Sequence, residues 1–171
     1  MGRSDELLAF ASNWEPFPYI ETGPEVIEAP SPEGLEFYTK YTTTSGVIIV
    51  AGPDVPDEAI LAGRRSLEYQ LSARPDFHEI LKDNLVRVSL FGPDGDSSVL
   101  PEYKDHGEIG GFAMMSTDVS MTANAGWFCY EGNRDDSGDP LIHEMAHTLN
   151  HIVFESINEI YFYDRQSIAS I

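Results

Sequence analysis

Residues 139–153 constrain the fold of this 171-residue chain more than any other segment. Asp139 is a favourable N-cap residue and Pro140 suits the first helical position, so the start of a helix is well marked. Apolar residues then recur at helical spacing. They predict a buried stripe made of Ile142, Met145, Ala146, Leu149, Ile152 and Val153.

His143 and His147 are four residues apart, so they are expected on one face of this helix, about 6 Å apart along its axis. Two imidazoles placed in this way can bind one tetrahedral zinc ion, with Zn–N distances of about 2.0–2.1 Å. Zinc polarises a carbonyl group and lowers the pKa of a water molecule towards about 7. Glu144 is then placed to accept the proton of that water as a general base.

The composition excludes several classes of partner. Ten Lys and Arg residues against 29 Asp and Glu residues give a formal net charge of −19. A chain this acidic repels phosphate backbones and anionic membrane surfaces. Neither a nucleic acid nor a membrane is therefore expected as a partner. A peptide or protein substrate is the partner expected, and the sequence leaves the oligomeric state open. Cys129 is the only cysteine, which excludes an intrachain disulfide and a cysteine-rich metal site.

The sequence shows neither a secretory signal pattern nor an apolar run approaching the roughly 20 residues that span a bilayer. A cytoplasmic location is therefore expected.

Residues 1–36 differ in composition from the rest and are predicted to form a loosely attached acidic leader. Residues 15–36 contain five prolines and six glutamates but no Lys or Arg. Such a stretch is unsuited to a helix interior or a central strand. The alternative is that Trp14, Phe17 and Tyr19 fix part of it in a groove. Ordered structure is expected to begin near Phe37, with one domain over residues 37–171.

The middle of the chain predicts a strand, a helix and a second strand, in that order. The predicted elements are strands at 47–51, 86–91, 110–115 and 126–130, a helix at 54–74 and a short helical turn at 77–81. A strand–helix–strand order predicts a right-handed βαβ crossover within a mixed sheet. The fold class expected is therefore α+β.

The segment from His143 to Thr148 resembles the active-site helix of the zincin metallopeptidases, with their HExxH motif. The wider chain is similar to a little-characterised group of zincin-type proteins assigned as metallopeptidases, over residues 36–152. The similar stretches are Glu36–Tyr41, Val55–Ala59, Arg74–Asp76, Leu100–Tyr103, Cys129–Tyr130 and His143–Thr148. The resemblance implies a zincin-like α+β fold, in which a small twisted mixed sheet packs on the HExxH helix and a backing helix. It also implies an edge strand that holds extended substrate, for which residues 110–115 are the candidate.

The third zinc ligand is where the chain departs from this pattern. A metzincin has glycine and histidine where this chain has Asn150 and Val153, so that subclass is excluded. His151 would lie about 12 Å along a continuous helix from His143, too far for one ion to bind both. A gluzincin-like protein implies a glutamate on a later helix, and Glu159 is the candidate. The alternative is a glutamate beyond residue 171, which would make this chain a truncated copy.

Two hypotheses about function follow. The first is a zinc-dependent metallopeptidase that hydrolyses peptide bonds by a zinc-activated water, with Glu144 as general base. The second is a catalytically incomplete zincin-like protein that binds partners through its acidic surface. Cys129 is expected to pack rather than bind the metal. Tyr130, Tyr161 and Tyr163 are secondary candidates for a hydrogen bond to the oxyanion.

Overall fold

The computed structural model describes residues 16–103, 120–133 and 139–154. The strands are β1 (Ile27–Glu28), β2 (Lys40–Thr44), β3 (Val47–Ala51), β4 (Arg87–Phe91) and β5 (Ser120–Asn124). The helices are α1 (Asp57–Leu71), α2 (Phe77–Asp83) and α3 (Pro140–Thr148). Short 3-10 turns lie at Ser97–Val99 and Ala125–Trp127, and a π-helical stretch, Leu149–Phe154, follows α3. None of the helices in these ranges is long and apolar enough to cross a membrane.

The five strands form one mixed sheet in the order β1-β2-β3-β4-β5. The first three strands pair antiparallel, whereas β3, β4 and β5 run parallel to one another. A two-residue turn joins β2 to β3, with positive φ angles of 50° at Ser45 and 82° at Gly46, as tight hairpins require. A Cβ atom at position 46 would also lie 2.0 Å from the carbonyl oxygen of His78. The turn therefore needs glycine for its conformation and for the close approach.

The predicted strand–helix–strand unit is confirmed. The strands β3 and β4 agree with the two predicted apolar runs, and they pair in parallel with Ile49 opposite Val88. The helices α1 and α2 lie between them in the chain, at the positions predicted for a helix and a helical turn. The α+β class and the mixed sheet are confirmed with them.

The predicted strand at 126–130 is wrong. The Asn124 side chain accepts a hydrogen bond from the backbone N–H of Gly126 at 2.7 Å, and this bond bends the chain into the turn Ala125–Trp127. The strand of this region is instead β5, which ends at Asn124. The predicted strand at 110–115 lies outside the described residues.

One face of the sheet packs against the helices. Strands β3, β4 and β5 contribute to the main apolar core on this face, together with Ile60 and Leu67 of α1 and Met145 of α3. The strand residues of this core are Val47, Ile49, Ala51, Val88, Leu90, Met121 and Ala123. Helix α3 contacts both β5 and α1. The sheet and α1 together therefore determine where α3 lies.

The opposite face of the sheet is covered by side chains from residues 16–38, a segment that we call the N-terminal cover and that also contains the edge strand β1. Phe17 and Leu35 are buried in one apolar cluster with Ile48 and Val50 of β3. The backbone N–H of residue 20 donates to the hydroxyl of Tyr41 in β2 at 2.8 Å. Residues 16–36 therefore differ from the loosely attached leader expected for them, and contacts with the sheet begin before Phe37. Residues 1–15 lie outside the described residues.

The prolines of the cover are compatible with this packing because the segment contains no helix and only the two-residue strand β1, so it needs few backbone hydrogen bonds of its own. Aromatic burial supplies the attachment, with the ring of Phe17 packed edge-to-face on Tyr38 at a centroid distance of 5.6 Å. Thr22 and Thr43 add reciprocal hydrogen bonds of 2.9 Å between backbone N–H groups and side-chain hydroxyls. The alternative expectation was that Phe17 helps to fix this segment in a groove. In the structure Phe17 packs on the second face of the sheet.

A buried charged network links the cover to β4. The Tyr38 hydroxyl donates to one oxygen of Glu102 at 2.7 Å, and the Arg87 guanidinium pairs with the other oxygen at 2.5 Å. Glu102 and Tyr38 are almost fully buried. Burial, and secondly the charge of Glu102, raise the pKa of Tyr38 well above its ordinary value. Tyr38 therefore remains a hydrogen-bond donor throughout the physiological pH range.

Replacing Glu102 is expected to destabilise the whole domain. In Glu102→Ala the partly buried Arg87 guanidinium loses its ion pair with Glu102, and breaking a buried ion pair typically lowers the free energy of unfolding by about 3–5 kcal/mol. Urea unfolding of the variant and the wild type measures the difference. Glu79→Ala is the control, because Glu79 forms only an exposed ion pair of 4.0 Å with Lys82 and should change stability little. Equal losses in the two variants would contradict the prediction.

Candidate metal centre

The start of α3 is held as the sequence predicts. The Asp139 carboxylate accepts a hydrogen bond from the backbone N–H of Leu141 at 2.9 Å, and Pro140 is the first helical residue. The carboxylate also lies at the positive end of the helix dipole, which is favourable. The first turn, which leads directly to His143, therefore has a defined beginning.

The buried side of α3 differs in part from the predicted stripe. Met145 and Val153 are buried as predicted, but Ile142 is 59% exposed and Ala146 is also exposed. Their places on the buried side are taken by Leu141, Glu144 and Thr148. One residue corresponds to about 100° of rotation in a helix, so α3 is turned about its axis relative to the prediction.

The two histidines face each other on the outer side of α3. Their Nε2 atoms are 3.0 Å apart and their ring centroids 4.7 Å apart. Two nitrogens bound tetrahedrally to one zinc ion at about 2.0–2.1 Å would be about 3.3–3.4 Å apart. The observed separation is within a few tenths of an ångström of that value. His143 is exposed and His147 partly exposed, so the pair fits a zinc ion that enters from solvent.

Glu144 lies on the buried side of the same helix and is 3% exposed. It follows His143 directly, so its side chain leaves the helix about 100° further round the axis. The described part of α3 thus has two solvent-facing imidazoles and one carboxylate withdrawn towards the packed side. A carboxylate so placed is shielded from bulk solvent while remaining next to the histidine pair along the helix.

Within the described residues, no group of three His, Cys, Asp or Glu side chains is placed to hold one metal ion. Cys129 is a free cysteine with an exposed side chain. It is therefore not packed in the core, contrary to the expectation for it. Tyr130 forms an isolated β-bridge with Asn133. Other candidates, namely Glu159, Tyr161, Tyr163 and the side chain of His151, lie outside the described residues.

Two asparagines that the sequence analysis did not single out organise the loop before α3. The Asn133 amide donates to the carbonyl oxygens of Gly126 and Phe128 at 2.7 and 3.0 Å. The Asn124 amide donates to the carbonyl oxygens of Pro93 and Gly95, both at 3.3 Å. Asparagine close to glycine is typical of turns, and this was the signal available in the sequence.

No protein-family model matches the chain, and comparisons with curated proteins and with solved structures give no match either. The function proposed below therefore depends on the geometry of α3.

Zinc binding is the first expectation from this geometry. The protein is expected to retain about one zinc ion per chain after dialysis, since His143 and His147 are placed to share one ion. Metal analysis should show that His143→Ala and His147→Ala each lose it. His78→Ala is the control, because His78 lies on α2 with its Nε2 atom 3.3 Å from the Leu71 carbonyl oxygen. Wild-type protein that takes up no zinc after reconstitution would contradict the prediction.

Proposed function

We propose that this chain is a zinc-dependent metallopeptidase that hydrolyses peptide bonds by a zinc-activated water, with His143 and His147 as metal ligands and Glu144 as general base. The observation that carries the proposal is the 3.0 Å separation of the two Nε2 atoms on the outer side of a capped helix. The position of Glu144 directly after His143 on the same helix is the second support.

Three residues of α3 have a defined part in the proposal. His143 and His147 would hold zinc through Nε2, and zinc when bound would supply the positive charge that polarises the scissile carbonyl and acidifies water. Glu144 would accept a proton from the attacking water and return it to the leaving amine. Its burial limits competition from bulk solvent for that proton.

The zincin-like arrangement belongs to the same proposal. Support comes from the mixed sheet and from the packing of α3 against both β5 and α1. In this arrangement α3 is the active-site helix and α1 the backing helix. The net charge of −19 favours the approach of basic peptides, and we propose these as the first substrates to try.

Glu144→Gln separates catalysis from metal binding. Glutamine keeps the size of the side chain but cannot accept the proton, so peptide cleavage should fall by about 10²–10⁴-fold. Zinc content should stay at the wild-type level, because Glu144 is not a ligand. Cleavage of a broad peptide mixture, followed by mass spectrometry, measures the rate even though the cleaved sequence is unidentified.

Two outcomes would count against the peptidase. Equal cleavage by the wild type and Glu144→Gln would contradict the role of Glu144. If both proteins bind zinc and neither cleaves, the incomplete zincin-like binding protein becomes the better description. His147→Ala serves as the reference, because it should lose metal and activity together.

Glu159 remains the proposed third ligand. A catalytic zinc site typically has three protein ligands, and Glu159→Gln should therefore weaken zinc binding by at least about tenfold. Glu155→Gln is the matched control, since it removes a nearby carboxylate that is not expected to bind. Zinc dissociation constants from competition with a chelating dye measure the effect. Equal zinc dissociation constants for Glu159→Gln and the wild type would show that Glu159 is not a ligand and that the third ligand belongs to another part of the protein.

A further inference from the structure

The outer side of α3 carries the histidine pair beside exposed apolar residues. Ile142 is 59% exposed, and His143 and Ala146 are exposed as well. One residue corresponds to about 100° of rotation in a helix, so these three residues and His147 lie within one arc of about 140°. We call these four residues the outer face of α3. This face is accessible from solvent where the two imidazoles lie.

The outer face bears no carboxylate and no Lys or Arg, although the chain is strongly acidic. Residues 139–154 contain no Lys or Arg, and their two carboxylates lie away from this face. Asp139 caps the first turn through the backbone N–H of Leu141, and Glu144 is 3% exposed on the buried side. Two such faces do not repel each other, and a zinc ion between them is attracted by both acidic chains.

Two imidazoles fill only half of the coordination of zinc. A closed zinc site in a protein has four protein ligands in a tetrahedron. The Nε2 atoms of His143 and His147, 3.0 Å apart, supply two of them. In the part of the chain that the structure describes, no further His, Cys, Asp or Glu completes a group of three with them. A second copy of the chain presents an identical pair, and imidazole is a preferred zinc ligand.

We infer that, when zinc is scarce, two copies of this chain share one zinc ion between the outer faces of their α3 helices, an inference that rests on the metal ligands of the proposed function. Each copy supplies His143 and His147, so the same face is used on both sides of a twofold axis. A zinc ion bound by four protein ligands has no open position for water, so the bridged dimer is an inactive form. In zinc excess each chain holds its own ion, and the copies separate. Zinc supply thereby controls whether the site is closed or open to substrate.

Sedimentation of metal-free protein during a zinc titration tests the bridge. At about half an ion per chain the protein should sediment at twice the chain mass of 19.0 kDa. Excess zinc, or EDTA, should return it to the monomer. His143→Ala and His147→Ala should each stay monomeric at every zinc level, whereas His78→Ala, which leaves the pair intact, should dimerise like the wild type. Added salt should strengthen the dimer, because it screens the repulsion between two acidic chains.

A second pair of variants separates contact between the faces from metal binding. Ala146 is exposed between the two histidines in the sequence, so a longer side chain there obstructs a second copy without disturbing the core. Ala146→Gln should weaken zinc-dependent dimerisation by at least about tenfold. Its zinc uptake in zinc excess should stay within about twofold of the wild type, because both ligands remain. Ala146→Ser, which keeps the side chain small, is the matched control and should dimerise like the wild type.

The outcomes separate this inference from the proposed function. Wild-type protein that binds no zinc would overturn both. Protein that binds zinc but stays monomeric at every zinc level would overturn the bridge alone. Dimers that persist in His143→Ala and His147→Ala would assign the association to other groups and would also overturn it. Unchanged dimerisation in Ala146→Gln would show that the outer faces of α3 do not meet.

Discussion

Arg87 and Glu102 form an ion pair of 2.5 Å on the face of the sheet away from the helices, and Tyr38 donates to the same carboxylate. Each residue belongs to a different part of the chain, namely β4, the segment after the turn Ser97–Val99, and the N-terminal cover. Buried charges are tolerated only where their partners are in place. The ion pair therefore favours one relative placement of these three parts, and Phe17 and Leu35 pack on the sheet in the same cluster as Tyr38.

The elements that the sequence predicts are those with strong local signals. The β-branched run of β3 and the Asp139-Pro140 start of α3 belong to this class. Strand β2 does not, because its three consecutive threonines show no apolar alternation. Those threonines are buried through distant partners, as when the Thr44 hydroxyl donates to Glu68 of α1 at 3.1 Å. The N-terminal cover was missed for a related reason, since its composition indicates solvation and its burial depends on a sheet face formed by later residues.

The same distinction between local signals and distant contacts applies to the candidate metal centre. The spacing of His143 and His147 predicts their approach, because four residues make about one helical turn. The rotation of α3 was not predictable, since Leu141 and Ile142 are both apolar and either could head the buried stripe. In the structure Leu141 is buried and packs beside Gly63 of α1, a helix that precedes β4 in the chain. A local pattern predicts the chemistry, whereas contacts between distant parts of the chain determine which way the helix faces.

The stretches by which the chain resembles zincin-type proteins fall into two physical classes. Tyr38 and Glu102, each from one such stretch, meet on the sheet face opposite the helices, where they form buried structural contacts. The stretch around His143 lies on the helical side and bears solvent-facing imidazoles. Side chains that pack a sheet against its cover constrain the architecture but hold no ion and meet no substrate. The residues of the first class therefore bear on how the sheet is packed, and the proposed zinc peptidase depends on α3 alone.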